Sequence, residues 1–272
     1  MNVLRVQIYQ PTTHFRIPFT YKRRHTYPLP PYSTVIGFLI NMMGLIDQRT
    51  DLFKKLKGLK LSISGHFETK TTEYIWFRNL SKEAHKDKFG SYTNREINGH
   101  VQHPGGQSPI SIDTLENFYL TLHLWHADTS FLSNLKTTLV NPSNRLEIMH
   151  LGRAEDWLVF EDIRFVELKP STKHKNYHRF SWIPEKCMVN ENTNSNSLLI
   201  SMGGVFYRLP TFATIENYEN AFDRHGKRSF EYITTKLNDG IIKGATYLWD
   251  EVVDAPVFLA DLTTQNKYEQ HL

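Results

Sequence analysis

At 272 residues, with 40% hydrophobic and 13% aromatic side chains, the chain is long enough to bury a sizeable core and too apolar to be disordered throughout. Its one cysteine, Cys187, excludes an internal disulfide framework and any cysteine-built zinc finger, and fits a reducing compartment. The formal charge of +4 is unevenly spread, with 16 basic against 7 acidic residues over 1–110, 8 against 9 over 111–180 and 8 against 12 over 181–272. An acidic partner is therefore expected on the N-terminal part. No apolar targeting segment follows Met1, and the apolar run from Val35 to Ile46 is too short and interrupted to span a bilayer. A soluble, cytoplasmic protein with no membrane partner is expected.

Taken in chain order, Val3 to Tyr9 reads as a strand buried on at least one face. Ser33 is placed to cap a helix whose Val35, Ile36, Leu39, Ile40 and Met43 recur at helical spacing and which Gly44 ends. A short helical piece follows from Gln48 to Leu56. Leu59 to Ser64 alternates with period two and predicts a strand, as does Tyr74 to Phe77. From 81 to 114 the pattern fails, and a basic arm holding Arg95 is expected. Alternation returns over Asn117 to Trp125. Asp128 or Ser130 then caps a helix running to Val140, where Asn141-Pro142 stops it. Trp157 to Phe160 and Ile163 to Leu168 complete a strand–helix–strand–strand–helix–strand order, which predicts an α+β, split βαβ unit with two helices on one face of an antiparallel sheet. Residues 173–179 read as a polar linker, and 181–272 as a smaller β-rich unit.

The stretch from His14 to Gly44 concentrates the chemistry. Arg16, Lys22, Arg23 and Arg24 are interleaved with Phe15, Phe19, Tyr21, Tyr27 and Tyr32, and cations with flat rings suit the phosphates and bases of a single strand. The same rings, set between prolines, equally suit a plug at one end of a core. The helix start at Ser33 and Thr34 offers free backbone N–H groups to an anion. His25, near Tyr21, Lys22 and Tyr27, keeps open metal-independent RNA cleavage by general acid–base chemistry, with His25, Tyr27 and Tyr32 as its candidates. No phosphate-loop, dinucleotide or zinc-protease motif occurs, so no cofactor is expected. His123 and His126, three apart on a predicted strand, point to opposite faces, and His100 with His103 lacks further ligands, so no metal is expected either.

Phe15-Arg16, Tyr27-Pro28-Leu29-Pro30-Pro31, Ser33-Thr34-Val35-Ile36-Gly37 and Leu151-Gly152-Arg153-Ala154-Glu155-Asp156 resemble the CRISPR-associated RAMP subunit that caps the 5′ handle of crRNA in type I Cascade, most like the subtype I-B branch. The resemblance runs from Met1 to about Leu168. It implies a ferredoxin-like (RAMP/RRM-like) domain over 1–170 with a thumb-like arm at about 81–114, followed by the β-rich unit at 181–272. It also implies the crRNA 5′ handle, the Cascade backbone subunit and the large subunit as partners, with target DNA within the same complex. The residues implied to hold the handle are Arg16, Tyr21, Lys22, Arg23, Arg24, His25, Tyr27, Ser33, Thr34, Arg95 and Arg153. For Arg153, pairing with Glu155 or Asp156 is an equal expectation. A related I-C branch cuts the repeat with a Tyr and a Lys–His pair. Here the adjacent pair is Lys173-His174, in the predicted linker, so a non-catalytic subunit is expected.

Overall fold

The computed structural model describes residues 1–78, 107–172, 178–190, 202–215, 228–242 and 246–262, with short pieces at 83, 86–87, 90–91, 96–97, 100–101, 175–176, 193–195 and 198–199. Its first part consists of β1 (Asn2–Thr13), α1 (Tyr32–Met43), α2 (Asp51–Lys57), β2 (Lys60–His66), β3 (Thr69–Arg78), β4 (Gln107–Trp125), α3 (Thr129–Val140) and β5 (Val159–Glu167). The strands lie in the order β5-β1-β4-β2, each antiparallel to its neighbour. Leu4, Val6 and Ile8 alternate along β1 and stand directly opposite Leu124, Leu122 and Leu120 of β4, which makes one face of the sheet apolar. Val35, Ile36 and Leu39 of α1 and Phe131, Leu132, Leu135 and Leu139 of α3 close over that face in one buried cluster.

Local chemistry explains where the helices begin and end. Asp128 caps α3 by accepting from the backbone N–H groups of Ser130 and Phe131, at 2.9 and 3.2 Å. In α1 the cap position belongs to Pro31 (φ −65°, ψ 158°) and not to Ser33, because the proline already fixes the extended entry and Tyr32 starts the helix. Gly44 ends α1 at φ 68°, where a Cβ would run into the Asn144 carbonyl. The second helix starts at Asp51, three residues later than Gln48, because Thr50 accepts from Phe53 N–H at 3.3 Å.

Part of the stretch expected as an arm, 107–114, is regular strand. Strand β4 starts at Gln107 and pairs without a break from Arg78↔Gln107 to Thr69↔Glu116, so 107–114 belongs to a two-stranded ribbon with β3. Ile110 and Ile112 alternate there, but Thr114 to Asn117 interrupts the period before Phe118. Between 79 and 106 the described residues include the paired dipeptides Glu96–Ile97 and His100–Val101, while Arg95 lies outside the described residues.

The later strands are β6 (Lys169–Ser171), β7 (Phe180–Pro184), β8 (Cys187–Asn190), β9 (Val205–Ile215), β10 (Arg228–Asn238), β11 (Tyr247–Asp250), β12 (Ala255–Val257) and β13 (Leu259–Asp261). This part is β-rich as expected, but it shares the first part's sheet and core. Two of its strands divide the outer edge of β2, with Phe180↔Gly65 and Ser181↔Ser64 from β7, and Ala260↔Leu61 and Asp261↔Lys60 from β13. Strands β10 and β9 extend the sheet beyond β7. Trp182, Leu209, Phe212 and Ile233 are buried in the same cluster as α1 and α3. An edge strand with unpaired backbone groups invites such an addition, and nothing in the local pattern of 181–272 reveals which edge it joins.

A small sheet of β6, β11 and β12 packs against the other face, where Val3, Val166, Leu248 and Val257 share a cluster. There Asp250, buried, accepts from Arg5 Nη1 at 3.1 Å and from His123 Nε2 at 3.0 Å, while Arg5 Nη2 reaches Asp162 at 2.9 Å. Burial alone would raise the Asp250 carboxyl, but hydrogen bonds and charge from His123, with the Val252 N–H and Arg5, bring it down to about 2. Burial pushes the His123 imidazole down despite its bond to Asp250, to which it donates through Nε2.

Asp250→Asn is expected to cost ~3 kcal/mol at neutral pH by leaving Arg5 under-compensated in the interior, read as a lower urea midpoint. Because the Asp250 carboxyl is depressed on folding, its contribution is present above the unfolded carboxylate value of about 3.9 and lost as pH falls through its folded value. The gap between parent and variant should therefore narrow as pH falls through that interval. A variant as stable as the parent at neutral pH contradicts this.

Candidate nucleic-acid interface

Beyond β1 the chain turns back on itself. Tyr27 N–H donates to Phe15 O at 2.8 Å, Ile17 N–H donates to His25 O at 2.9 Å, and Phe15 N–H donates to Thr26 Oγ1 at 2.8 Å. The tip of this loop carries Phe19, at φ 66°, and Tyr21, both strongly exposed. On the way back, Arg23 and Arg24 pair in parallel with Ser111 and Ile112 of β4, which lays the basic segment along the ribbon.

Asp113 is the centre of this junction. Its side chain is 2% exposed, yet it accepts from His25 Nδ1 at 2.9 Å and Thr72 Oγ1 at 3.0 Å, and lies 3.5 Å from both Arg23 Nη2 and Lys70 Nζ. Burial works to raise its carboxyl, but the bonds from His25 and Thr72, with the charges of Lys70 and Arg23, hold it below the usual range. The Asp113 carbonyl in turn accepts from His14 Nδ1 at 2.7 Å, which fixes the His14 tautomer. Burial lowers the His14 imidazole, keeping it neutral.

The Leu151-Gly152-Arg153-Ala154-Glu155-Asp156 run supports the same junction. Asp156, fully buried, accepts through Oδ2 from the backbone N–H of His14 at 3.0 Å and of Arg153 at 2.7 Å. Gly152, at φ 119°, is needed there because a Cβ would lie 2.6 Å from Asp156 Oδ2 and 3.0 Å from the His14 carbonyl. Arg153 pairs with Asp156 at 2.9 Å, with Glu73 of β3 at 3.3 Å and with Glu155 at 3.4 Å. Its guanidinium ties the loop to the ribbon.

The structure therefore sorts the candidates. Arg16, Tyr21, Lys22 and Arg23 are exposed on the loop, and Arg24 and His25 are half-buried beside them. Ser33 and Thr34 lie together with Gly37 and Ile40 on the floor of two hollows along α1, one walled by Leu146 and His150 and the other by Thr211 and Phe230. Tyr27 and Tyr32 are core residues. Trp182 stacks edge-on against Tyr27 and donates its Nε1–H to Pro30 O at 2.9 Å, and the Tyr32 ring is fully buried. The plug reading of these rings holds, and the cleavage trio of His25, Tyr27 and Tyr32 is not brought together at the surface. Sequence reasoning missed Asp113, Lys70, Tyr74 and Trp76. The last two are exposed on β3, and their two-residue spacing within Thr72-Glu73-Tyr74-Ile75-Trp76 was the available signal. Among the described residues, no cluster of His, Cys, Asp and Glu is arranged to hold a metal ion, and no helix is long and apolar enough to cross a membrane.

Comparison with solved structures places the architecture. A chain of a "CRISPR RNA-guided surveillance complex" aligns over 98% of this chain and 95% of its own, with a TM-score of 0.52 and 12% identity. A structure described as "Crystal structure of Cas protein" covers 90% of this chain and 99% of its own at a TM-score of 0.46 and 12% identity. A CRISPR protein from Archaeoglobus fulgidus covers 95% and 99%, at 0.42 and 11%. No curated protein matches the chain. The profile of the family described as CRISPR-associated protein (Cas_Cas5) matches residues 3–232. This chain belongs to the Cas5 family of CRISPR-associated proteins.

Proposed function

We propose that this CRISPR-associated subunit seats the 5′ handle of a guide RNA within a type I surveillance complex of the Cascade kind, without cutting the RNA itself. The observation that carries the reading is the junction at Asp113. It gathers Arg23 and His25 from the loop after β1 and Lys70 from β3, beside the exposed Arg16, Lys22 and Tyr21. Cations held on one surface neutralise backbone phosphates, and the adjoining rings suit unpaired bases. The strand order β5-β1-β4-β2 with two helices on one face supports the ferredoxin-like description of the first part. In this reading the β3–β4 ribbon is the stem of a thumb that meets the RNA and the backbone subunit, while the large subunit docks elsewhere on the chain. Burial of Tyr27 and Tyr32 argues against the cleavage alternative.

Replacing Arg16, Lys22 and Arg23 together by alanine should weaken handle binding and lower the slope of log affinity against log salt by about 2, the share of three phosphate contacts on a single strand. Unchanged affinity and slope overturn the reading. Repeat RNA incubated with the purified chain in EDTA should be retained on a native gel and run intact on a denaturing gel. A cut at one position contradicts the non-catalytic assignment and directs attention to His25. Arg153→Ala should lower affinity only indirectly, leaving the salt slope as in the parent, because its guanidinium is already engaged by three carboxylates. A slope reduced by about 0.7 would instead make it a phosphate contact.

A further inference from the structure

Strand β3 carries a feature that burial, pairing and capping leave unexplained. Lys70, Thr72, Tyr74 and Trp76 alternate along it and so share one face. Thr72 and Lys70 both reach Asp113, which puts that face on the side of Arg23 and His25. Tyr74 and Trp76 are 65% and 61% exposed, although rings of this size are ordinarily used to bury apolar surface. Their partners across the ribbon are Ser111 and Pro109, small residues that leave the rings standing clear. The two rings meet edge to face, with centroids 6.5 Å apart and planes at 79°, so the edge of one meets a single face of the other and each ring keeps a face that the pair does not cover.

We propose that Tyr74 and Trp76 form a stacking platform for two unpaired bases of a single-stranded RNA, with the strand's phosphates running toward Lys70 and Arg23. The assignment rests on the guide-RNA reading above and adds to it a ligand chemistry for these two side chains. Each ring offers one open face to a flat base, and the base is held without being read, since every base has a π-face. The neighbouring charges decide between occupants. Lys70 and Arg23, 49% and 58% exposed, contact only the buried carboxylate of Asp113 among the ion pairs of the described residues, so their outer surfaces present positive charge beside the rings. This arrangement fits an anionic backbone that threads past an aromatic pair, and a purely apolar protein surface would not need it. The Arg153–Glu73 pair fixes the opposite face of the same strand to the loop at Gly152, so the platform stands on a braced element.

The test uses the full chain and a fluorescently labelled handle RNA. Tyr74→Ala and Trp76→Ala should each weaken binding on the order of tenfold with the salt slope unchanged, and Trp76→Phe should recover most of the loss. Exchanging the bases of the bound strand one at a time should have little effect, whereas an abasic site at the stacked position should mimic Trp76→Ala. Near-parent thermal unfolding of the variants excludes a folding defect, as expected for such exposed positions. If the alanine variants bind like the parent while the Arg16, Lys22 and Arg23 variant loses binding, the platform is overturned and the guide-RNA reading stands. If none of these variants changes binding, the reading itself fails. Variants that keep RNA affinity but no longer join protein partners make the pair a protein-docking face and overturn the assignment.

Discussion

A carboxylate cannot remain ionised out of water unless positive or hydrogen-bonding groups are brought to it. Asp113 draws in His25 and Arg23 from the loop after β1, and Lys70 and Thr72 from β3. Those residues are 41 to 90 positions from it in sequence, and the buried charge is what makes them one surface. Its backbone carbonyl also holds His14, where the loop leaves β1. Arg23, His25 and Lys70 satisfy this one interior anion while their side chains stay about half exposed.

Two further buried carboxylates repeat the device. Asp156 pins the backbone at His14 and clamps Arg153, whose second contact with Glu73 sets the ribbon against the loop. Asp250 joins β11 to Arg5 and His123 in the centre of the first sheet. With the strands added to the edge of β2, this makes the C-terminal part a structural wall of the first and not an appended module. Trp182 makes the same point at the Pro-rich turn, since its hydrogen bond to Pro30 places a C-terminal side chain directly beneath the segment that leads into α1.

Legibility in the sequence followed the range of the interactions. The alternation of Phe118, Leu120, Leu122 and Leu124, the cap at Asp128 and the stop at Gly44 are local signals, and each appears where the pattern put it. The start of β4 at Gln107 was hidden because Thr114 to Asn117 interrupts the alternation between Ile112 and Phe118, with Asn117 at φ 49°. Its pairing with β3 is a long-range fact that neither strand advertises alone. At the interface, the exposed cations could be read from composition, but Tyr27 and Tyr32 could not be separated from Tyr21 by residue type. Burial separates them, and for Tyr27 it involves Trp182, some 150 residues away. Asp113 fell at the end of the stretch read as an arm, and nothing local marks a buried charge.

The most direct test of the account is cross-linking of a handle RNA carrying photoreactive bases to the intact protein, with the attached peptides identified by mass spectrometry. Cross-links concentrated on the loop from Arg16 to His25 and on β3 between Lys70 and Trp76 are the predicted result. Cross-links confined to β9 and β10, or to the hollows along α1, would contradict the assignment of the RNA to the Asp113 junction.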